Sequence, residues 1–141
     1  MTGLAKRTST EGKGMGAAKA AKIVGIMFMS RTYAHMAHLK TSSYNVHMAL
    51  NDFYDADEEE DLDVVDLADS LAEVAQGKWG KIDVPFVGIE GNLLDPAGAL
   101  RNHLEMILAE AEGCEGRALN AIVDQIEELY LKTIYLIDEL K

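Results

Sequence analysis

Apolar positions recur at helical spacing from about residue 17 to the C-terminus, and no stretch alternates as a half-buried strand would. The first helix is expected over Ala17–Lys40. Val24, Met27, Phe28, Arg31, His35 and His38 fall within one face, while Ile23, Ile26, Met29, Tyr33 and Met36 make it apolar on other sides too. A helix apolar nearly all round needs several neighbours, which points to a bundle or an oligomer interface. Thr41-Ser42-Ser43 is a turn with hydroxyls placed to cap the next helix. This second helix is expected over Tyr44–Gln76, its stripe reading Val46, Leu50, Phe53, then Val64, Leu67, Leu71 and Val74, with Gly77 as its stop. In the middle, that stripe passes through Asp57 and Glu60, two acids where a core would hold leucine.

Gly77–Asp95 is long enough to cross a bundle, with Trp79, Phe86 and Leu93 as expected anchors. Such a crossover is required if the second and third helices run parallel. Asp95-Pro96 supplies an N-cap and a proline at the first helical position. The third helix then uses Leu100, Leu104, Ile107 and Ala111 and stops at Gly113. The fourth, Arg117–Leu140, has the cleanest pattern: Leu119, Ile122, Ile126, Leu129, Thr133, Leu136 and Leu140. The expected fold is an all-α four-helix bundle, up-down-down-up, with one long crossover between helices 2 and 3. Residues 17–141 form the bundle domain, and 1–16, rich in Gly, Ser, Thr and Lys, form a basic N-terminal arm without periodicity.

Composition narrows the class. A chain of 141 residues suits one domain with a self-sufficient core. The single cysteine, Cys114, cannot make an internal disulfide, and no base neighbours it in sequence, which sets aside both a disulfide-built fold and a thiol nucleophile. The longest apolar run, Ile23–Met29, is too short to span a bilayer, and no secretory leader is evident, so the expected location is cytoplasmic without a membrane partner. The first 22 residues hold five cations against one acid, leaving the body more acidic than the net charge of −11. Such an arm, with Lys6, Arg7 and Lys13 as contacts, can tether a polyanion such as DNA through phosphates without reading sequence; it can equally be an ordinary polar tail.

The candidate chemistry lies between Tyr33 and Glu73. The turn at residues 41–43 would bring His35 or His38 near His47, and a dense run of carboxylates comes after them. Neutral imidazoles with carboxylates suit iron, manganese or zinc. A second possible site, Asp57 and Glu60 with His103 inside the bundle, lacks the paired Glu-x-x-His signature of di-iron bundles. No phosphate-binding glycine loop follows a strand, and the acidic run Asp57–Asp63 does not match a calcium loop.

His35 and His47, spaced His-x11-His across a short hairpin, and Asp66 further along resemble the Dps-like branch of the ferritin-like superfamily, small cage proteins that bind and oxidise iron. The last helix (IVDQIEELYLKTIYLIDEL) and the basic arm are similar as well, and the chain resembles small ferritin-like proteins of marine phages. The resemblance implies a homo-oligomer with iron held between subunits by His35, His47 and Asp66. It implies Fe(II) oxidation by peroxide or oxygen and, through the arm, non-specific DNA contact. Two positions depart from that pattern. Asn51 stands where an acid follows the second histidine. Leu62 stands where the inner downstream acid belongs, which implies either a cage without ferroxidase activity or a site rebuilt with Asp63 as the replacement ligand. The alternative from another class is a metal-free bundle acting as a structural or interaction protein.

Overall fold

The computed structural model describes residues 15–57 and 61–140, and these contain five helices and no strand. They are α1 (Ala17–Lys40), α2 (Tyr44–Tyr54), α3 (Val64–Trp79), α4 (Pro96–Ala111) and α5 (Arg117–Leu140). Local signals place several ends where the sequence puts them. Ser43 Oγ accepts from the Val46 N–H (3.2 Å), capping α2, and Asp95 Oδ1 accepts from the Gly98 N–H (3.2 Å), with Pro96 opening α4.

The long second helix predicted over Tyr44–Gln76 is instead two. α2 ends at Tyr54 and α3 begins at Val64. Seven of the nine residues from 55 to 63 are acids, so a continuous helix would stack like charges one turn apart. Aspartate also gains more by capping a helix than by extending one. Asp63 does this: its Oδ1 accepts from the Asp66 N–H (2.9 Å), while Asp66 Oδ2 accepts from the Asp63 N–H (3.1 Å), a reciprocal capping box. Asp63 Oδ2 also accepts from the Ala56 N–H (3.1 Å), pinning the break from its other side. Asp57 is therefore exposed in the break and not a core acid; Glu60 lies outside the described residues. Nor is Gly77 the stop. The helix runs two residues further and ends at Gly80, whose φ of 86° suits glycine.

Around one core, α1 packs against α2, α3 and α4, and α5 packs against the same three. Among the described residues α1 does not pair with α5, nor α4 with α2 or α3. Tyr33, Leu50, Phe53, Leu71, Leu100, Ile107, Ile126, Tyr130 and Ile137 fill the space between. At one end the turn at 41–43, residues 93–97 and Ile137 share a cavity; at the other, Gly116 before α5 lies against Lys78 of α3.

The irregular segment 80–95 runs along α1. At Gly25 it comes so close that an added Cβ would lie 2.7 Å from the Pro85 carbonyl oxygen. Eight residues further along α1, the Tyr33 hydroxyl donates to the Asn92 carbonyl (2.5 Å). Trp79 and Leu93 are half-buried against the core as expected, but Phe86 is fully exposed; Val87, beside Gly25, takes the anchoring role.

Candidate metal centre at the first helical hairpin

Three of the four histidines collect where α1 meets α2. On α1, His35 and His38 are one turn apart, and the three-residue turn returns the chain so that His47 of α2 stacks on His38, ring centroids 3.6 Å apart. Each Nδ1 lies 2.9 Å from the other residue's carbonyl oxygen. A carbonyl only accepts, so both Nδ1 atoms carry hydrogen, and in the neutral rings both lone pairs sit on Nε2. This fixing of one nitrogen by a carbonyl is how proteins orient imidazole ligands. His35, exposed, stacks on Tyr54 at 4.5 Å, and His38 meets the same ring edge-on at 5.4 Å. Burial and the neighbouring Asp55 push the Tyr54 hydroxyl above its ordinary pKa, with Arg31 opposing.

The sequence leaves open whether His35 or His38 meets His47. The structure puts His38 there, 6.0 Å from His35. The His38 and His47 planes are inclined by only 24°. A metal lies in the plane of its imidazole, so one ion cannot serve both rings in this arrangement.

The carboxylates are placed differently. Both oxygens of buried Asp63 are taken by backbone N–H groups, and burial, its leading influence, raises the carboxyl pKa. Such a group is a cap, and ligation would cost it two hydrogen bonds. Asp66, half-buried, commits Oδ2 to the capping box. Asn51 is half-buried on α2, and Leu62 is exposed in the break. Among the described residues, no three His, Cys, Asp or Glu side chains gather as a metal-binding group within one copy. Lys6, Arg7 and Lys13 lie outside the described residues.

His103 is a core histidine with both nitrogens satisfied. Its Nε2–H donates to the Glu90 carbonyl (2.7 Å), and Nδ1 accepts from the Ser30 hydroxyl (2.8 Å). Burial lowers its pKa, and the Glu90 carbonyl opposes. It ties the crossing segment to the core beside the Tyr33–Asn92 bond and is not part of an interior acid site. Ser30, which sequence reasoning missed, carries one signal: a hydroxyl directly after the apolar run Ile23–Met29 of α1. Tyr54 carries one too, standing two turns after His47 on one helical face.

No curated protein and no solved structure matches the chain. One family model does, over residues 38–137, which takes in His38, His47, the acidic break, the crossing segment and most of α5, and starts just after His35. On that match the chain belongs to DUF5856, a family of unknown function.

Proposed function

We propose that this protein is a ferritin-like, Dps-like bundle that takes Fe(II) as substrate between two copies of itself. The fold part rests on which helices are neighbours. If α2 and α3 count as one broken helix, α1 neighbours the second and third helices and lies diagonal to the last. The 80–95 segment, running along α1 from Gly25 toward Tyr33, carries the chain back to the end where α1 finishes. Both observations support the up-down-down-up order with a crossover.

The observation that carries the functional part is the fixed Nδ1 of His47, which leaves Nε2 as the ligating nitrogen at the edge of the hairpin. With exposed His35 from the same hairpin and the Oδ1 of Asp66 from a second copy, the donor set is two imidazoles and one carboxylate, suited to ferrous iron with open positions. These residues would hold the ion; peroxide or oxygen would take its electron. Asp63 is left out of the set because its oxygens are spent on the α3 cap.

The test is aerobic Fe(II) oxidation by metal-stripped protein beside His35→Ala/His47→Ala. Oxidation faster than buffer and lost in the variant supports the reading; equal rates for protein and buffer end it. One observation favours the metal-free interaction reading instead: the His38–His47 stack holds both rings in place and satisfies both Nδ1 atoms without an ion. Equal rates would leave that reading standing. The basic arm is tested separately. Salt-sensitive DNA binding that disappears when residues 1–16 are deleted assigns it to Lys6, Arg7 and Lys13, and binding that survives makes the arm a tail.

A further inference from the structure

On one side α2 packs against α1 through His47 and His38; on the other it packs against α5, and there the acidic break leaves an open cavity of about 250 Å³. Its apolar wall is Phe53, Leu67 and Leu129, together with Leu62 and Leu136, which are still 50% and 38% exposed. Three carboxylates line it as well: Asp52, Asp61 and Glu128. Among the described residues none of the three is ion-paired, although Lys132 faces the same cavity. His35, His47 and Asp66 take no part in its lining.

The N-terminal segment of the same chain matches this cavity in charge, chemistry and reach. Residues 1–14 lie outside the described residues and join them at Met15, which is buried before the start of α1. They hold Lys6, Arg7 and Lys13 against Glu11, and Leu4 stands two residues before Lys6. An apolar side chain beside cations complements an apolar wall beside carboxylates. From Met15 back to Leu4 an extended chain spans about 36–40 Å. α1 is about 36 Å long, and α2 is less than half that length, so the break lies near the middle of the bundle. The cavity is therefore about 18 Å along the bundle from Met15 and about two helix diameters, roughly 20 Å, around it, within that span.

We propose that residues 1–14 fold back on their own chain, with Leu4 between Leu62 and Leu136 and with Lys6 and Arg7 against Asp52, Asp61 and Glu128. Carboxylates alone would hold such a segment weakly and at many places on an acidic surface, because exposed ion pairs are screened. The apolar wall singles out this place. A tether of this length keeps the segment near the cavity at an effective concentration on the order of 1 mM, so weak contacts suffice. Seated there, the same cations are withheld from a polyanion, and the cavity competes with DNA for the arm. The inference needs neither the iron reading nor DNA binding to hold.

The experiment uses the full chain, as an equal mixture of unlabelled and isotope-labelled protein with a chelator present. A water-soluble carbodiimide joins a lysine ammonium to a carboxylate in direct contact, and mass spectrometry of the digested product locates each new amide. Coupling of Lys6 or Lys13 to Asp52, Asp61 or Glu128 is expected, within chains of one label and suppressed by added salt. Two variants separate the seat from general attraction to an acidic surface. Leu4→Ser leaves every charge in place, and Leu62→Arg alters the exposed wall of the cavity with a cation that carbodiimide does not couple. Each should lower that coupling several-fold, and helical circular dichroism checks that both fold. The proposal is overturned if the coupling is absent, or if it spreads equally to remote exposed acids such as Asp69 and Glu105. Coupling mainly between labelled and unlabelled chains overturns it too, since the occupant is then a second copy. So does coupling that neither variant changes.

Discussion

His38 and His47 are locked face to face at 3.6 Å, each ring donating its Nδ1–H to the other's backbone carbonyl. The pair is a clasp closing the α1–α2 hairpin, and its two halves depend on one another. Replacing either ring by alanine removes one hydrogen bond and the whole stack, a loss of about 1–2 kcal/mol. The double variant should lose less than the sum of the singles, by about 0.5–1.5 kcal/mol. Urea unfolding of the four proteins closes the cycle, and additive losses would show that the rings act independently.

Two glycines should respond to alanine with opposite signs. Gly25→Ala places a methyl group 2.7 Å from the Pro85 carbonyl oxygen, so either α1 or the crossing segment must move, at a cost of about 1–3 kcal/mol. Gly77→Ala, on the exposed side of α3 with nothing within 4 Å, should stabilise by about 0.5–1 kcal/mol through helix propensity. Melting temperatures decide both. A neutral Gly25→Ala would mean the segment is not tightly seated.

Two buried tyrosines make a second contrasting pair. The Tyr130 hydroxyl is fully buried, approaches Ser30 and falls short of a well-formed hydrogen bond. Its removal in Tyr130→Phe should leave stability unchanged or raise it by about 1 kcal/mol, since the phenyl group keeps its edge-on contact with Phe53. Tyr33→Phe instead removes one of two hydrogen bonds to the Asn92 carbonyl, which keeps the Asp95 N–H (3.0 Å), and should cost about 1 kcal/mol. Burial, reinforced by Asp95, pushes the Tyr33 hydroxyl up to about 12. The unfolded chain therefore ionises first as pH rises through 10, and that part of the stability is lost in alkali. Tyr33→Phe should flatten the alkaline limb of a urea-midpoint profile, and an unchanged limb would show that Tyr33 ionises as readily folded as unfolded.

His103 controls the acid side. Its folded-state pKa lies below the ordinary 6.5 because the ring is buried. The unfolded chain takes up the proton first as pH falls through about 6.5, so the stability present above that value declines below it. His103→Leu should be less stable at pH 8, having orphaned Ser30 and the Glu90 carbonyl, yet lose less between pH 7 and pH 5 than the wild type. Urea midpoints across that range test it, and parallel profiles would remove His103 as the source.

The sequence alone determined the all-helical class, the full extent of α1 and α5, the serine-capped turn and the Asp95-Pro96 start of α4. Those features are set by interactions within a few residues, namely apolar periodicity, a capping hydroxyl and a ring-locked φ, and such interactions are legible in order along the chain. Tertiary structure decided the rest. The acids at 55–63 fell on a helical stripe by spacing, but like-charge repulsion and the Asp63–Asp66 capping box, closed across the break by Ala56, made a gap there. Periodicity placed His35 and His38 on one face without saying which would reach His47, because that depends on how two helices rotate about their own axes when they pack. Phe86 looked like an anchor by hydrophobicity, yet Gly25 admits the segment backbone at Pro85 and turns that side chain to solvent. His103 looked like a possible ligand because the groups that satisfy it across the core, Ser30 and Glu90, lie 73 and 13 residues away in sequence. Local chemistry sets where helices begin and end, and only packing decides which polar groups they bring together.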